Sequence, residues 1–183
     1  MVAPILVTKF FIPSIRKGIV ERQGLINRLN DGLDRKLTLI SAPAGFGKTT
    51  LVSQWVNNFH PDNATSNDHL HVAWLSLDEA DNDLIQFLLY FISAINQIKG
   101  IDNELGQGAL TLLQSSQSPP VSNILIPLIN DLASSSEKII FVLDDFHLIE
   151  EESIHQAMIF LVENLPPQLH LVIATRQDPF LSL

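Results

Sequence analysis

Residues 37–59 constrain this chain more than any other stretch. Leu37-Thr38-Leu39-Ile40 is a short apolar run of strand character, continued by Ser41-Ala-Pro-Ala-Gly-Phe-Gly-Lys-Thr-Thr50. From Thr49 to Phe59, Leu51, Val52, Trp55, Val56 and Phe59 then fall on one face of a helix. A strand, a glycine-rich loop and a helix in that order form an anion cradle. Glycines let successive backbone N–H groups turn inward, and the helix presents its free donors and positive dipole end to the same anion. The expected phosphate-binding residues are Ala44, Gly45, Phe46, Gly47, Lys48, Thr49 and Thr50. Lys48 is expected to reach the β- and γ-phosphates, and the Thr49 hydroxyl to ligate Mg²⁺. The general pattern has glycine where Ala42 stands, and Pro43 stiffens the start of the loop.

Two acids extend the site. Ile139-Ile-Phe-Val-Leu143 is a continuous apolar run, as in a strand buried on both faces, and it ends in Asp144-Asp145. Open α/β sheets bind ligands at the carboxyl ends of their strands. Asp144 is therefore expected to partner Mg²⁺, and Asp145 to orient or polarise an attacking water. A plain acidic turn is the competing reading. Arg176 follows a further apolar run, His170 to Thr175, where it could sense or stabilise phosphate charge; an ordinary surface arginine is the alternative. Thr175 is a weaker candidate for the same place. His147 follows the acid pair closely enough to line the site, but a satisfied structural histidine is the favoured reading. None of the six histidines has a metal-ligand spacing, and Trp55 and Trp74 sit at core positions.

Around these motifs, strands and helices alternate. Expected strands cover 37–41, 71–77, 139–143 and 170–175. Expected helices cover 20–33, 49–59, a stretch from Asp83 to Gly100, 104–113, 123–133 and 154–165. Residues 1–19 read as an extended lead-in and 61–69 as a polar loop. Asp83 and Gln86 suggest a capping box, and Pro127 is expected to remove one hydrogen bond from its helix or bend it. The alternation argues a parallel sheet with helices on both faces. With 46% apolar and 17% charged residues, 183 residues are enough for one folded domain. Eleven Lys and Arg against 20 Asp and Glu give a net charge of −9, which argues against direct contact with a nucleic-acid backbone. No cysteine is present, and no signal peptide or membrane-length apolar run is seen, so a cytoplasmic protein without membrane contact is expected.

The segments TKFFIPSIRKGIVERQGLINRL, LTLISAPAGFGKTTLVSQW, VAWLSLDEADND, FVLDDFHLI and LPPQLHLVIATRQDP, in this order, resemble the N-terminal nucleotide-binding module of the MalT-like, LuxR-type ATP-dependent transcriptional regulators. These belong to the signal-transduction ATPases with numerous domains. The Ala-Pro-Ala-Gly opening is common in that family, so Ala42 fits it better than the general pattern. The resemblance implies a three-layer α/β P-loop NTPase fold of the additional-strand type, with strand 170–175 inserted between the phosphate-loop strand and the Asp144 strand. Val20-Glu21-Arg22 matches a segment that meets adenine in related ATPases, which makes Val20 and Arg22 candidate base contacts. It also implies that 1–183 is one nucleotide-binding domain, incomplete at its C-terminus. On that resemblance, the sensor repeats and the DNA-binding helix-turn-helix of whole family members are expected to be absent from these residues.

The leading expectation is a switch that binds ATP/ADP with Mg²⁺, hydrolyses ATP slowly through Lys48, Asp145 and Arg176, and self-associates in its full-length context when ATP is bound. Contact with DNA would come only through the absent C-terminal domain. A free-standing P-loop enzyme, such as a small-molecule kinase, is a second reading, although no arginine-rich lid is visible. A non-hydrolysing nucleotide-binding interaction module is a third.

Overall fold

The computed structural model describes residues 5–15, 18–59, 70–98, 105–115 and 119–179. Among these, four strands pair in parallel as one sheet in the order β1-β4-β3-β2. The strands are β1 (Leu37–Ser41), β2 (Leu70–Ser76), β3 (Lys138–Asp144) and β4 (Leu169–Thr175). β4 lies between β1 and β3, with Ser41 level with Thr175 and Leu143 level with Ile173. Ser76 of β2 is level with Asp144 of β3. The phosphate loop, the acid pair and Arg176 therefore leave the sheet at the same end. This is the inserted-strand arrangement expected from the resemblance.

Strand alternation assigns each face its core. Ala73, Leu75, Phe141, Leu143, Leu171 and Ile173 point into one apolar cluster with α3 (Leu84–Asn96), α4 (Gln107–Leu113), α5 (Val121–Ser134) and α6 (Glu152–Glu163). Trp74, Ile140, Val142 and Val172 point into the other, against α1 (Gln23–Asp31) and α2 (Lys48–Asn57). β3 and β4 are covered on both sides, which explains why they read as unbroken apolar runs. Trp55 and Trp74 are fully buried packing residues. Trp55 Nε1 also donates to Asn30 Oδ1 at 2.7 Å, which ties α2 to α1.

Several expectations shift. α1 starts at Gln23 rather than Val20, which leaves Val20 and Arg22 outside the helix. Pro127 lies inside α5 without ending it. The Asp83 side chain caps α3 by accepting from the Gln86 amide, but the Gln86 side chain donates to the Ala80 carbonyl, so the reciprocal half of the box is missing. The true capping box is Asp78–Asp81, around the 3₁₀ turn Glu79–Asp81. The polar stretch 61–69, Gly100 and the expected helix start at Glu104 lie outside the described residues.

The lead-in is not merely extended. Val7–Phe10 forms a 3₁₀ turn, and Lys9 is buried beneath it. Its Nζ donates to both Asp81 carboxylate oxygens, at 2.6 and 2.7 Å, and lies 2.9 Å from Asp78. It also sits 4.8 Å from the centre of the Tyr90 ring, while the Leu6 amide donates to the Tyr90 hydroxyl. Burial alone would lower the Lys9 pKa, but the two carboxylates outweigh it and hold it above its ordinary value.

Candidate nucleotide site at the carboxyl end of the sheet

The loop after β1 takes the shape its glycines allow. Gly45 and Gly47 have φ of 81° and 77°, the left-handed region that side chains resist. Gly47 is the residue immediately before α2, so the helix opens directly behind the loop. Ala44, Gly45 and Phe46 stand exposed at the tip. Lys48 folds back over the loop and donates to the carbonyls of Ala42 at 2.6 Å and Pro43 at 3.2 Å. Its ammonium is thus held at the loop mouth by weak acceptors that an anion can replace.

Thr49 and Asp144 meet across the sheet end. Thr49 Oγ donates to Asp144 Oδ1 at 3.1 Å, and the Asp145 amide donates to the same oxygen at 3.1 Å. Asp144 is only 3% exposed. Burial pushes its pKa up to about 6, and the neighbouring Asp145 charge adds to this. The Thr49 and Asp145 hydrogen bonds and the Lys48 charge pull the other way. A carboxylate whose charged form is penalised in this way suits a cation beside it. Among the described residues no group of three or more His, Asp or Glu is arranged so that it could hold a metal ion by itself. An ion held by Thr49 and Asp144 would draw its remaining oxygens from phosphate and water, which is the habit of Mg²⁺.

Asp145 turns the chain at the strand end with φ of 59°, a conformation uncommon outside glycine. The 3₁₀ turn Phe146–Leu148 follows. Phe146 is buried, whereas His147 is not the satisfied structural histidine the sequence suggests. Its side chain is 8% exposed, and neither ring nitrogen has a hydrogen-bond partner. Nδ1 is 3.8 Å from Asp145 Oδ1. Burial lowers the imidazole pKa, the charges of Arg176 and Lys48 lower it further, and Asp145 opposes them. His147 thus neighbours Asp145 and feels the charges of Lys48 and Arg176. The Arg176 side chain is exposed at the end of β4. Thr175 does not contribute its hydroxyl, which donates to the Gln177 carbonyl at 2.7 Å.

Beside the loop, a cleft of about 610 Å³ is lined by Val20, Arg22, Gly47, Thr50 and Gln54, with Pro13 to Ile15 of the N-terminal segment forming another wall. Val20 is largely exposed there. Arg22 does more than face the cleft, since its Nη1 donates to the Phe46 carbonyl at 3.2 Å and braces the loop. The lead-in sequence gave no sign that Pro13–Ile15 would border the site. A separate cleft of about 520 Å³ opens at the other end of the sheet, around Asn30, Asp34, Lys138 and His170, and shares none of these residues.

Comparison with known proteins agrees with this geometry. The chain is 35% identical over 164 residues to the HTH-type transcriptional regulator MalT of Klebsiella pneumoniae, in both strain ATCC 700721 / MGH 78578 and strain 342. The match covers 90% of this chain.

The chain is a MalT-like module.

It spans only 17% of the length of those regulators. No family model matches it. Among solved structures, it aligns with Cdc6p from Pyrobaculum aerophilum over 95% of this chain and 44% of that one, at a TM-score of 0.54 and 17% identity. The Aeropyrum pernix Orc1 protein, solved in complex with DNA, aligns over 93% and 42%, at a TM-score of 0.53 and 12% identity. At that identity the likeness concerns the fold alone, and the fold of this MalT-like module is that of a P-loop NTPase. No helix among the described residues is long and apolar enough to cross a membrane.

Proposed function

We propose that this module binds ATP with Mg²⁺ and hydrolyses it slowly, as the nucleotide-controlled switch of a transcriptional regulator. The observation that carries the reading is the Thr49–Asp144 hydrogen bond directly behind the phosphate loop. It brings a hydroxyl and a buried carboxylate to one point, where a magnesium ion would be held. The ion, when bound, supplies charge neutralisation between the phosphates. Lys48 exchanges the Ala42 and Pro43 carbonyls for phosphate oxygens, and the amides of residues 44–50 receive the rest of that charge. Val20, Arg22 and Thr50 line the cleft that would take the base and ribose.

Hydrolysis falls to the residues on the other side of the phosphates. Asp145, at its strand-end turn, orients and polarises water. Arg176 balances charge that moves onto the leaving phosphate. His147, with two open ring nitrogens in the same neighbourhood, is a further polar group able to hold that water. In the whole regulator the ATP-bound module would favour a self-associated, active form, and hydrolysis would reset it. DNA contact would belong to parts of the regulator outside this chain, in keeping with the net charge of −9.

Turnover in the presence of Mg²⁺ tests the reading. The wild-type chain is expected to release phosphate slowly. Asp145→Asn and Arg176→Ala are expected to keep ATP affinity while losing most turnover. Equal turnover in all three proteins would mean that these residues do not serve hydrolysis.

A further inference from the structure

Three backbone groups of the loop that carries Asp145 and His147 are held from outside by one side chain, Asn82. Its Nδ2 donates to the Leu148 carbonyl at 2.7 Å, and its Oδ1 accepts from the amides of Glu150 at 2.7 Å and Glu151 at 3.1 Å. A single amide thus satisfies one carbonyl and two N–H groups of a segment 66 or more residues away. Only a side chain with both a donor and an acceptor at its tip can do this. At its other end the loop is pinned by Phe146, buried 5.5 Å from the His155 ring, while His155 Nε2 lies 3.0 Å from the Ile149 carbonyl. His147 therefore sits between two fixed points.

Asn82 is itself held in place. It follows the capped turn Asp78–Asp81, in which the Asp78 amide donates to Asp81 and the Ala80 amide to Asp78. Lys9 clamps both acids from below. The Asn82 Nδ2 also donates to the Glu79 carbonyl of that turn at 3.2 Å. The turn leaves β2 beside Asp144, since Ser76 and Asp144 are level. The clamp thus spans from the end of β2 to the loop after β3.

We propose that Asn82 is a positioning residue for ATP hydrolysis: it holds the 145–151 loop so that Asp145 and His147 face the reacting phosphate. The proposal rests on the reading that this loop serves hydrolysis. Asn82 touches neither the phosphate loop nor the base cleft, so its effect belongs to the chemical step and not to nucleotide binding.

The test uses the 183-residue chain with Asn82→Ala and Asn82→Asp, measuring ATP affinity, single-turnover hydrolysis and amide hydrogen exchange at Glu150 and Glu151. Asn82→Ala is expected to keep ATP affinity within about twofold, to lose on the order of 10-fold in the hydrolysis step, and to exchange faster at both amides. Asn82→Asp keeps the acceptor for both amides but sets a carboxylate against the Leu148 carbonyl, and is expected to recover only part of the rate. Wild-type turnover in Asn82→Ala would overturn the proposal, as would loss of affinity and turnover in parallel. If wild-type protein binds ATP without hydrolysing it, the hydrolysis reading fails on its own. Exchange then judges the clamp separately, and unchanged protection at Glu150 and Glu151 in Asn82→Ala would refute it.

Discussion

Thr49 Oγ donates to Asp144 Oδ1 at 3.1 Å, joining the first turn of α2 to the end of β3. The Asp144 carboxyl is 3% exposed, and burial raises its pKa from 3.8 to about 6. Between those values the folded protein holds a proton that the unfolded chain releases. Stability therefore falls as pH rises through that window, and the cost is fully present at neutral pH. Asp144→Asn removes it. In metal-free protein at pH 7.5 the variant is expected to be more stable by about 1–3 kcal/mol in denaturant unfolding. The same variant should lose the Mg²⁺-dependent part of ATP binding. Destabilisation of the metal-free protein would mean that burial does not penalise this carboxylate.

His170 behaves in the opposite sense. Its Nδ1 lies 2.6 Å from the Arg35 carbonyl and its Nε2 3.0 Å from Thr38 Oγ. With the proton on Nδ1 donated to Arg35, Nε2 accepts from Thr38, and the neutral ring is satisfied on both sides. Burial lowers its pKa below 6.5, with the Arg35 bond opposing. Above pH 6.5 the ring is neutral folded or unfolded, and its contribution is complete. As pH falls below 6.5 the unfolded chain takes a proton that the folded one refuses, and stability is lost. Melting temperatures from pH 8 to 5 should therefore fall more steeply for wild type than for His170→Gln. Asp144 acts the other way below about pH 6, but it is common to both proteins. Parallel curves would show that His170 is not the titrating group.

Lys9 is a buried cation of the N-terminal segment, and Asp81 beside it is fully buried. Removing one partner of such a pair leaves an uncompensated charge, which typically costs 3–5 kcal/mol. Lys9→Met is expected to destabilise the chain by about 3 kcal/mol. Lys9→Met with Asp81→Leu should recover part of that loss, since the stranded carboxylate is gone. Chemical unfolding of the three proteins measures both effects. A single variant within about 0.5 kcal/mol of wild type would mean that the ion pair carries little net stability.

These three cases mark what could be seen in the sequence and what could not. The phosphate loop was legible because its residues are contiguous and each has a local reason: glycine for positive φ, a strand before it and a helix after it. Asp144 and Asp145 were legible because they end an unbroken apolar run. Placing them beside Thr49 depended on β4 entering between β1 and β3, which the family resemblance supplied and residue periodicity did not. Lys9, Asn82 and His147 were missed or misjudged for a common reason. Their partners lie 72 residues away for Lys9 and 66 or more for Asn82, and the open ring nitrogens of His147 exist only once the sheet end has assembled. A lysine in a lead-in and a histidine after an acid pair carry no local mark of burial. The capping box was misplaced for a subtler reason: Asp83–Gln86 and Asp78–Asp81 both fit the spacing, and only the side-chain directions separate them.

Nucleotide binding at the loop is the claim on which the rest depends. Its most direct test is calorimetric titration of ATP with Mg²⁺ into the wild-type chain and into Lys48→Ala. Lys48 holds its ammonium at the loop mouth through the Ala42 and Pro43 carbonyls. Its removal should weaken ATP binding by 10-fold or more, which is about 1.4 kcal/mol, while leaving the melting temperature of the free protein nearly unchanged. Equal ATP affinity in the two proteins, or no binding by wild type, would contradict the account.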